Sequence, residues 1–207
     1  MDVKRIQAAL LTVPGVQPLM PSGADGFWGS ETERGLAYVV AAAGGMTEAP
    51  PVTETLPDGY LALLSRIESN DRPYVKAGTS SASGLYQFIK STWLGEGGAW
   101  GPDRGLAFGG LRPSKAEQDR RATTFTLKNV RALIKAGIPV NRASLYACHF
   151  LGAGTAIDAL RPGVSTSTRM ETLVEPEAVA ANRSILEGKT LAQFLTWLHR
   201  KTGDWAR

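Results

Sequence analysis

Cysteine and histidine are almost absent from this chain of 207 residues, which has one cysteine, Cys148, and two histidines, His149 and His199. A single thiol excludes an internal disulfide, and so few soft ligands leave no spacing suited to a structural zinc site. Long apolar runs are missing too. No stretch approaches the about 18 consecutive apolar residues of a spanning helix, and the opening MDVKRIQAALLTVPG holds no signal-peptide core. The expectation is a protein without membrane insertion or a Sec-type address, which needs some other route if it acts outside the cytoplasm. Strand-like alternation is nearly absent, no internal repeat stands out, and GxGxxG, P-loop, HExxH and CxxC patterns do not occur.

What is present is helical periodicity broken by glycine and proline. The formal charge of +4 is uneven, with a net −2 in residues 1–50 and +6 in residues 51–207. Such a bias favours an anionic partner, yet the basic residues are dispersed and no DNA-reading helix is visible, so no specific nucleic acid is expected. Val3, Ile6, Leu10 and Leu11 predict a helix over 3–12. A loop from Pro14 to Gly29 leads to a second helix, with Ser30 as N-cap, Glu33 completing a capping box, and Leu36, Val39 and Val40 as its apolar face. Residues 44–59, rich in Pro, Gly and Thr, read as a linker. Beyond it, Leu61, Leu64, Ile67 and Glu68 share one helical stripe. Leu85, Phe88 and Ile89 start a helix ending near Leu94, and a loop with seven glycines follows. Ser114 caps a helix carrying Ala122, Phe125, Val130, Leu133 and Ile134, stopped by Gly137. Asn141 caps another, and the last two helices span about 175–187 and 190–202. The fold class is all-α and bundle-like, with long glycine loops.

Glu68 is the residue with chemical promise. It stands at the C-terminal end of an apolar helix face, where the helix dipole disfavours an anion. Partial burial favours the protonated form of a carboxyl, as a general acid requires. Glycosidases ordinarily pair two carboxylates, but Asp71, Glu96, Asp103 and Glu117 carry no persuasive partner signature, which gives weight to a single-acid mechanism. Small residues from Ser80 to Gly84 would let a sugar ring approach the backbone, and Gln87 can both donate and accept beside a hydroxyl or acetamido group. Cys148 and His149 are adjacent on a helix and point apart, so they form no nucleophile pair.

The segment RIESNDRPYVKAGTSSASGLYQF resembles the catalytic region of the lytic transglycosylases, a lysozyme-like family. There, a glutamate-serine pair ends a helix and a GASGLMQ-type stretch follows. Glu68-Ser69 matches the pair, and Ser81 to Gln87 matches the stretch, with Tyr86 for its methionine. YACHFLGAGTAIDAL resembles the family's AYNAGPG motif, keeping Gly152 and Gly154 and placing His149 and Phe150 where tyrosine and asparagine are usual. Near the start, Ile6-Gln7, Leu10 and Asp25-Gly26-Phe27-Trp28-Gly29 resemble the peptidoglycan-binding module found beside cell-wall hydrolases. The combination is similar to phage endolysins.

The resemblance implies a module at 1–45, a linker at 46–59 and a lysozyme-like catalytic domain at 60–207. It implies that Glu68 is the acid/base, that Ser83, Tyr86, Gln87 and His149 bind substrate, and that Asp25, Phe27 and Trp28 hold the wall. Peptidoglycan glycan strands are then the partner of a monomer needing no metal or cofactor. Its path runs from host cytoplasm to periplasm through a holin-made lesion. The expected reaction cleaves between N-acetylmuramic acid and N-acetylglucosamine with a 1,6-anhydromuramoyl end. A hydrolytic muramidase and a non-enzymatic wall-binding phage protein are the alternatives.

Overall fold

Helical periodicity with scarcely any strand signal yields helices joined by long turns. The computed structural model describes residues 2–44 and 54–207. Among them lie α1 (Val3–Leu11), α2 (Ser30–Gly44), α3 (Tyr60–Ser69), α4 (Lys90–Gly95) and α5 (Lys115–Lys135). After these come α6 (Arg142–Leu151), α7 (Ala153–Leu160), α8 (Pro176–Ala181), α9 (Arg183–Leu186) and α10 (Leu191–Thr202). No β-sheet forms among the described residues, so the class is all-α; extended pairing is confined to isolated bridges such as Lys76 with Ser83 and Ser83 with Phe88. Of the expected linker, the part through residue 53 lies outside the described residues. Two compact units divide the chain, one made of Met1–Thr53 with Arg131–Arg207 and one of Glu54–Val130.

In the first, composite unit, Asp2 caps α1 by accepting from Arg5 N at 3.2 Å. Leu10, Val16 and Met20 form a small core with Ile6, Leu11, Val13 and Val39 packed around it. The expected cap at Ser30 is displaced by one residue: α2 opens on Ser30 itself, with Glu33 N donating to Gly29 O at 2.9 Å. Gly29 holds the cap because its backbone abuts the carbonyl of Arg207, where a β-carbon would collide. Asn141 caps α6 through Ala143 N and Ser144 N, as its sequence position predicts. Thr190 does the same for α10 with a capping box to Gln193.

Helix α6 packs against both α7 and α10. Leu191, Phe194, Leu195 and Leu198 of α10 are all buried, each worth about 1.5–3 kcal/mol of apolar transfer. Gly152, at φ 81°, separates α7 from α6, so the apolar run after Asn141 makes two helices rather than one. The single helix expected at 175–187 is likewise two: Asn182, at φ −130°, interrupts it and donates from Nδ2 to Ala178 O at 3.0 Å.

In the second, central unit, Tyr60, Leu64, Leu85, Tyr86, Phe88, Trp93 and Phe108 are buried with Ala122 and Val130 of α5. Trp93 and Phe108 meet with ring centroids 4.7 Å apart. Ser114 caps α5, its Oγ accepting from Glu117 N at 3.1 Å. The helix expected from Leu85 begins only at Lys90. Gly84 at φ 78° and Gln87 at φ 46° are left-handed, and an α-helix cannot pass through them. The apolar spacing of Leu85, Phe88 and Ile89 thus belongs to a folded turn, not to a helix.

One ion pair in the composite unit sets a pH response. Asp204 accepts from Arg142 N, Nε and Nη2 at 3.1, 3.0 and 2.8 Å. The Arg142 guanidinium holds its carboxyl below the ordinary range. A lowered folded-state value stabilises the fold above the ordinary aspartate pKa of about 3.9 and loses that stability as pH falls through the lower folded value. Asp204→Asn should therefore unfold at a lower temperature than wild type at neutral pH, and the gap should close as pH falls below about 4. Thermal circular dichroism across that range measures it; a constant gap would assign the loss to something other than the charge.

Candidate active site

Helix α3 ends at Glu68 and Ser69 for reasons visible in its last turn. Ser69 Oγ donates to Ser65 O at 3.0 Å, Asn70 N to Arg66 O at 3.2 Å, and Asp71 N to Ser65 O at 3.3 Å. Asn70 and Asp71 both take left-handed backbone, at φ 53° and 59°. That conformation costs a residue with a β-carbon roughly 1–2 kcal/mol, least for Asn and Asp. Asp71 is then tied back to α3, its Oδ1 accepting from Ser65 Oγ at 2.7 Å. Glu68 is left half-buried in the final turn, where the carbonyl end of the helix disfavours negative charge. Local strain follows it immediately.

The turn from Ser81 to Ile89 is built around Ser83, which is 1% exposed. Its backbone N donates to Phe88 O at 3.1 Å, while flanking bonds join Ala77 N to Ala82 O and Gly84 N to Val75 O, both at 2.9 Å. Its hydroxyl donates to Ser81 O at 2.9 Å and accepts from Phe108 N at 3.2 Å. Gly84 has no room for a side chain, because a β-carbon would run into the Phe108 ring and Gln118 Oε1. Gln87 donates from Nε2 to Gly84 O at 2.9 Å and Val75 O at 3.3 Å, and remains part-exposed. Tyr86 is buried, and its hydroxyl donates to Asp119 Oδ1 at 2.7 Å. Burial foremost, then that bond and the charges of Asp119 and Asp71, hold its phenol well above the ordinary value.

All four non-glycine residues with positive φ among the described residues, Asn70, Asp71, Gln87 and Phe108, lie in the central unit. Strained backbone of this kind persists where the surroundings over-determine it, and it gathers at functional sites.

Asp71, Glu96, Asp103, Glu117 and Asp119 of this unit each have a structural partner. Asp71 holds Ser65 Oγ. Glu96 pairs with Lys128 Nζ at 2.7 Å, its side chain only 8% exposed. Asp103 caps Gly105 N at 2.8 Å, and Glu117 accepts from Arg121 Nε and Nη2 at 3.1 and 2.9 Å. Asp119 takes Lys115 Nζ at 2.6 Å as well as Tyr86.

Sequence reasoning missed the residue that locks these turns together. Gln118 is 1% exposed on α5. Its Oε1 accepts from Leu85 N at 2.9 Å, and its Nε2 donates to Pro113 O at 3.1 Å and Pro73 O at 3.2 Å. The signal was a polar residue one turn ahead of Ala122, on the apolar stripe of that helix. A buried polar group in such a place is hydrogen-bonded to something that matters.

The remaining predicted residues lie in the composite unit. His149 is half-buried in the last turn of α6, its ring 6.3 Å from that of Tyr146 at an interplanar angle of 14°. Asp25 Oδ1 accepts from Gln7 Nε2 and Phe27 N, both at 2.9 Å. The Phe27 ring meets Trp205 edge-on at 5.4 Å. Asp25 and Phe27 therefore shape their own loop, whereas Trp28 lines an open hollow of about 380 Å³ with Glu33, Asn141 and Trp205. Cys148 is fully buried and its thiol is pushed up to about 12 by burial, which makes it an inert core side chain. No group of three or more His, Cys, Asp or Glu able to hold a metal occurs among the described residues. None of the described helices is long and apolar enough to cross a membrane.

No protein-family model matches the chain, and no curated protein matches it significantly.

Replacing Gln118 tests the lock. Gln118→Leu fills the same space with an apolar side chain but strands Leu85 N–H in a buried place, so unfolding in urea should show a loss of about 1–3 kcal/mol. A loss within about 0.5 kcal/mol, the ordinary range for a surface change, would mean that the three turns hold without it.

Proposed function

We propose that this protein cleaves peptidoglycan as a lytic transglycosylase, on a lysozyme-like helical fold, with Glu68 as sole acid and base. One observation carries the reading. Glu68 is a half-buried carboxyl at a helix end followed at once by strained backbone, while Asp71, Glu96, Asp103 and Glu117 hold structural bonds. A hydrolytic plan wants a second carboxylate to seat a water or attack the sugar. The single-acid plan does not.

In this mechanism Glu68 gives its proton to the oxygen bridging N-acetylmuramic acid and N-acetylglucosamine, and the bond from that oxygen to the muramoyl C1 breaks. The resulting carboxylate takes the proton of the muramoyl C6 hydroxyl as O6 bonds to C1. The acid is regenerated, no water is consumed, and the product end is a 1,6-anhydro ring. The substrate's neighbouring acetamido group steadies the charge that develops at C1. Ser83 and Gln87 shape the turn beside which the sugar backbone would run, and Tyr86 supports that turn from within. Trp28, with Asp25 and Phe27 behind it, is the proposed wall contact of the N-terminal segment. Release of the protein from the host cytoplasm to the periplasm through a holin-made lesion completes the reading as an endolysin.

Glu68→Gln should fold like wild type by circular dichroism and lose about 10²–10⁴-fold of its activity on chloroform-treated Gram-negative cells, the usual worth of positioned proton transfer. A variant keeping more than about a tenth of the activity would remove Glu68 from the role. Mass spectrometry of digested, purified peptidoglycan should find muramoyl ends lighter than reducing ends by one water. Reducing ends as primary product would instead make the enzyme a muramidase, and Asp71 the next residue to replace.

A further inference from the structure

The composite unit carries a second hollow, of about 340 Å³, lined by Ser184, Ile185, Lys189, Gln193, Thr196, Trp197 and Arg200. Its size falls within the roughly 300–1,000 Å³ of small-ligand clefts. Its lining combines an indole, two cations and three uncharged hydrogen-bonding side chains, and no acidic residue. Nothing in the proposed reaction uses it.

The hollow is shaped from below. Trp197 is half-buried against an aromatic layer: Tyr146 at 5.5 Å and 27°, Phe150 at 4.9 Å and Phe194 at 5.6 Å and 20°. That packing fixes the indole, so a ring stacking on it meets a preorganised surface rather than a mobile one. The α10 capping box turns Gln193 Oε1 to Thr190 N at 2.9 Å. Thr196 Oγ1 donates to Ala192 O at 2.9 Å, which leaves its lone pairs as acceptors. Arg200 is exposed and Lys189 part-exposed, and neither needs to be desolvated to reach a ligand.

We propose that this hollow binds an anionic saccharide: a sugar face stacks on Trp197 while Arg200 and Lys189 take its carboxylate. Arginine offers a planar fork that matches a carboxylate, and the uncharged side chains suit hydroxyl groups. Single-stranded nucleic acid also combines stacking with positive charge. It would ask for a basic groove that tracks several nucleotides, whereas this hollow offers one indole and two cations. The site is independent of Glu68, and its test reads binding rather than cleavage.

Calorimetry on the full chain would compare a tetrasaccharide alternating glucuronic acid and N-acetylglucosamine, the neutral N-acetylglucosamine tetrasaccharide, and a short oligothymidylate, all at about 0.15 M salt. The acidic tetrasaccharide should bind at least about fivefold tighter than the neutral one. Lys189→Gln and Arg200→Gln should each weaken it by about five- to tenfold while the circular dichroism spectrum stays unchanged. Two-dimensional NMR of the indole N–H groups, with the Trp197 signal assigned from Trp197→Phe, should show that signal moving on titration. Three results would each overturn the proposal. They are no saturation by the acidic tetrasaccharide below about 10 mM, full affinity in both charge variants, and oligothymidylate binding at least as tightly as the acidic sugar. Loss of lysis in Glu68→Gln leaves this binding intact, so the two readings fail separately.

Discussion

The hydrogen bonds of Gln118 hold the turns of the central unit together. A helical unit with long turns and no sheet must find partners for loop backbone by other means, because an unpaired buried amide costs about 1–3 kcal/mol. One glutamine side chain has both an acceptor and donors, and Gln118 uses them on Leu85, Pro113 and Pro73. These are the start of the Ser83–Gln87 turn, the segment ahead of α5 and the segment after Glu68. The first and last of these are aligned by the bridge of Lys76 with Ser83, and Gln118 ties both to the segment ahead of α5. Ser83 adds a second tie by accepting from Phe108 N, which joins the same turn to the glycine-rich loop.

The N-terminal segment uses the same device. Gln7 is 2% exposed on α1, and its Nε2 donates to Asp25 Oδ1, Phe27 O and Thr32 Oγ1 while its Oε1 accepts from Gly26 N. The Asp25 carboxylate and the Phe27 backbone carbonyl thus satisfy Gln7, and Glu31 holds Ser22 through both oxygens. Trp28, next along the loop, lines the open hollow beside Trp205. These bonds fix the loop between α1 and α2 from both of its ends.

The sequence made the long elements legible because periodicity and caps agree there. Asn141, Ser114 and the stripe of α10 each combine a capping side chain with apolar residues three and four apart. It misled where apolar spacing arose without a helix. Leu85 and Phe88 are buried at helical spacing, but the positive φ of Gly84 and Gln87 is a tertiary choice that periodicity cannot register. Asn182 breaks the helix expected at 175–187 for a similar reason: its side chain bonds back to Ala178 O and competes with the helix. Of the candidate site, the placement of Glu68 at a helix end could be read directly, since the stripe runs through it. Gln118 could not, because a polar residue on an apolar stripe has no visible partner until the fold supplies one.

These constraints together explain what engages several carboxylates of the central unit. Loops without ladders need caps, and carboxylates make good caps, so Asp103 is used on Gly105 N and Asp71 on Ser65 Oγ. A helix as polar as α5 also needs charge pairs along its faces, which engage Glu117 with Arg121 and Asp119 with Lys115. Glu96, nearly buried, pairs with Lys128. Each of these groups makes a hydrogen bond or ion pair that ties a turn or a helix face. Glu68 differs from them in position: it stands half-buried in the last turn of α3, ahead of the left-handed backbone of Asn70 and Asp71, where the carbonyl end of the helix disfavours its charge.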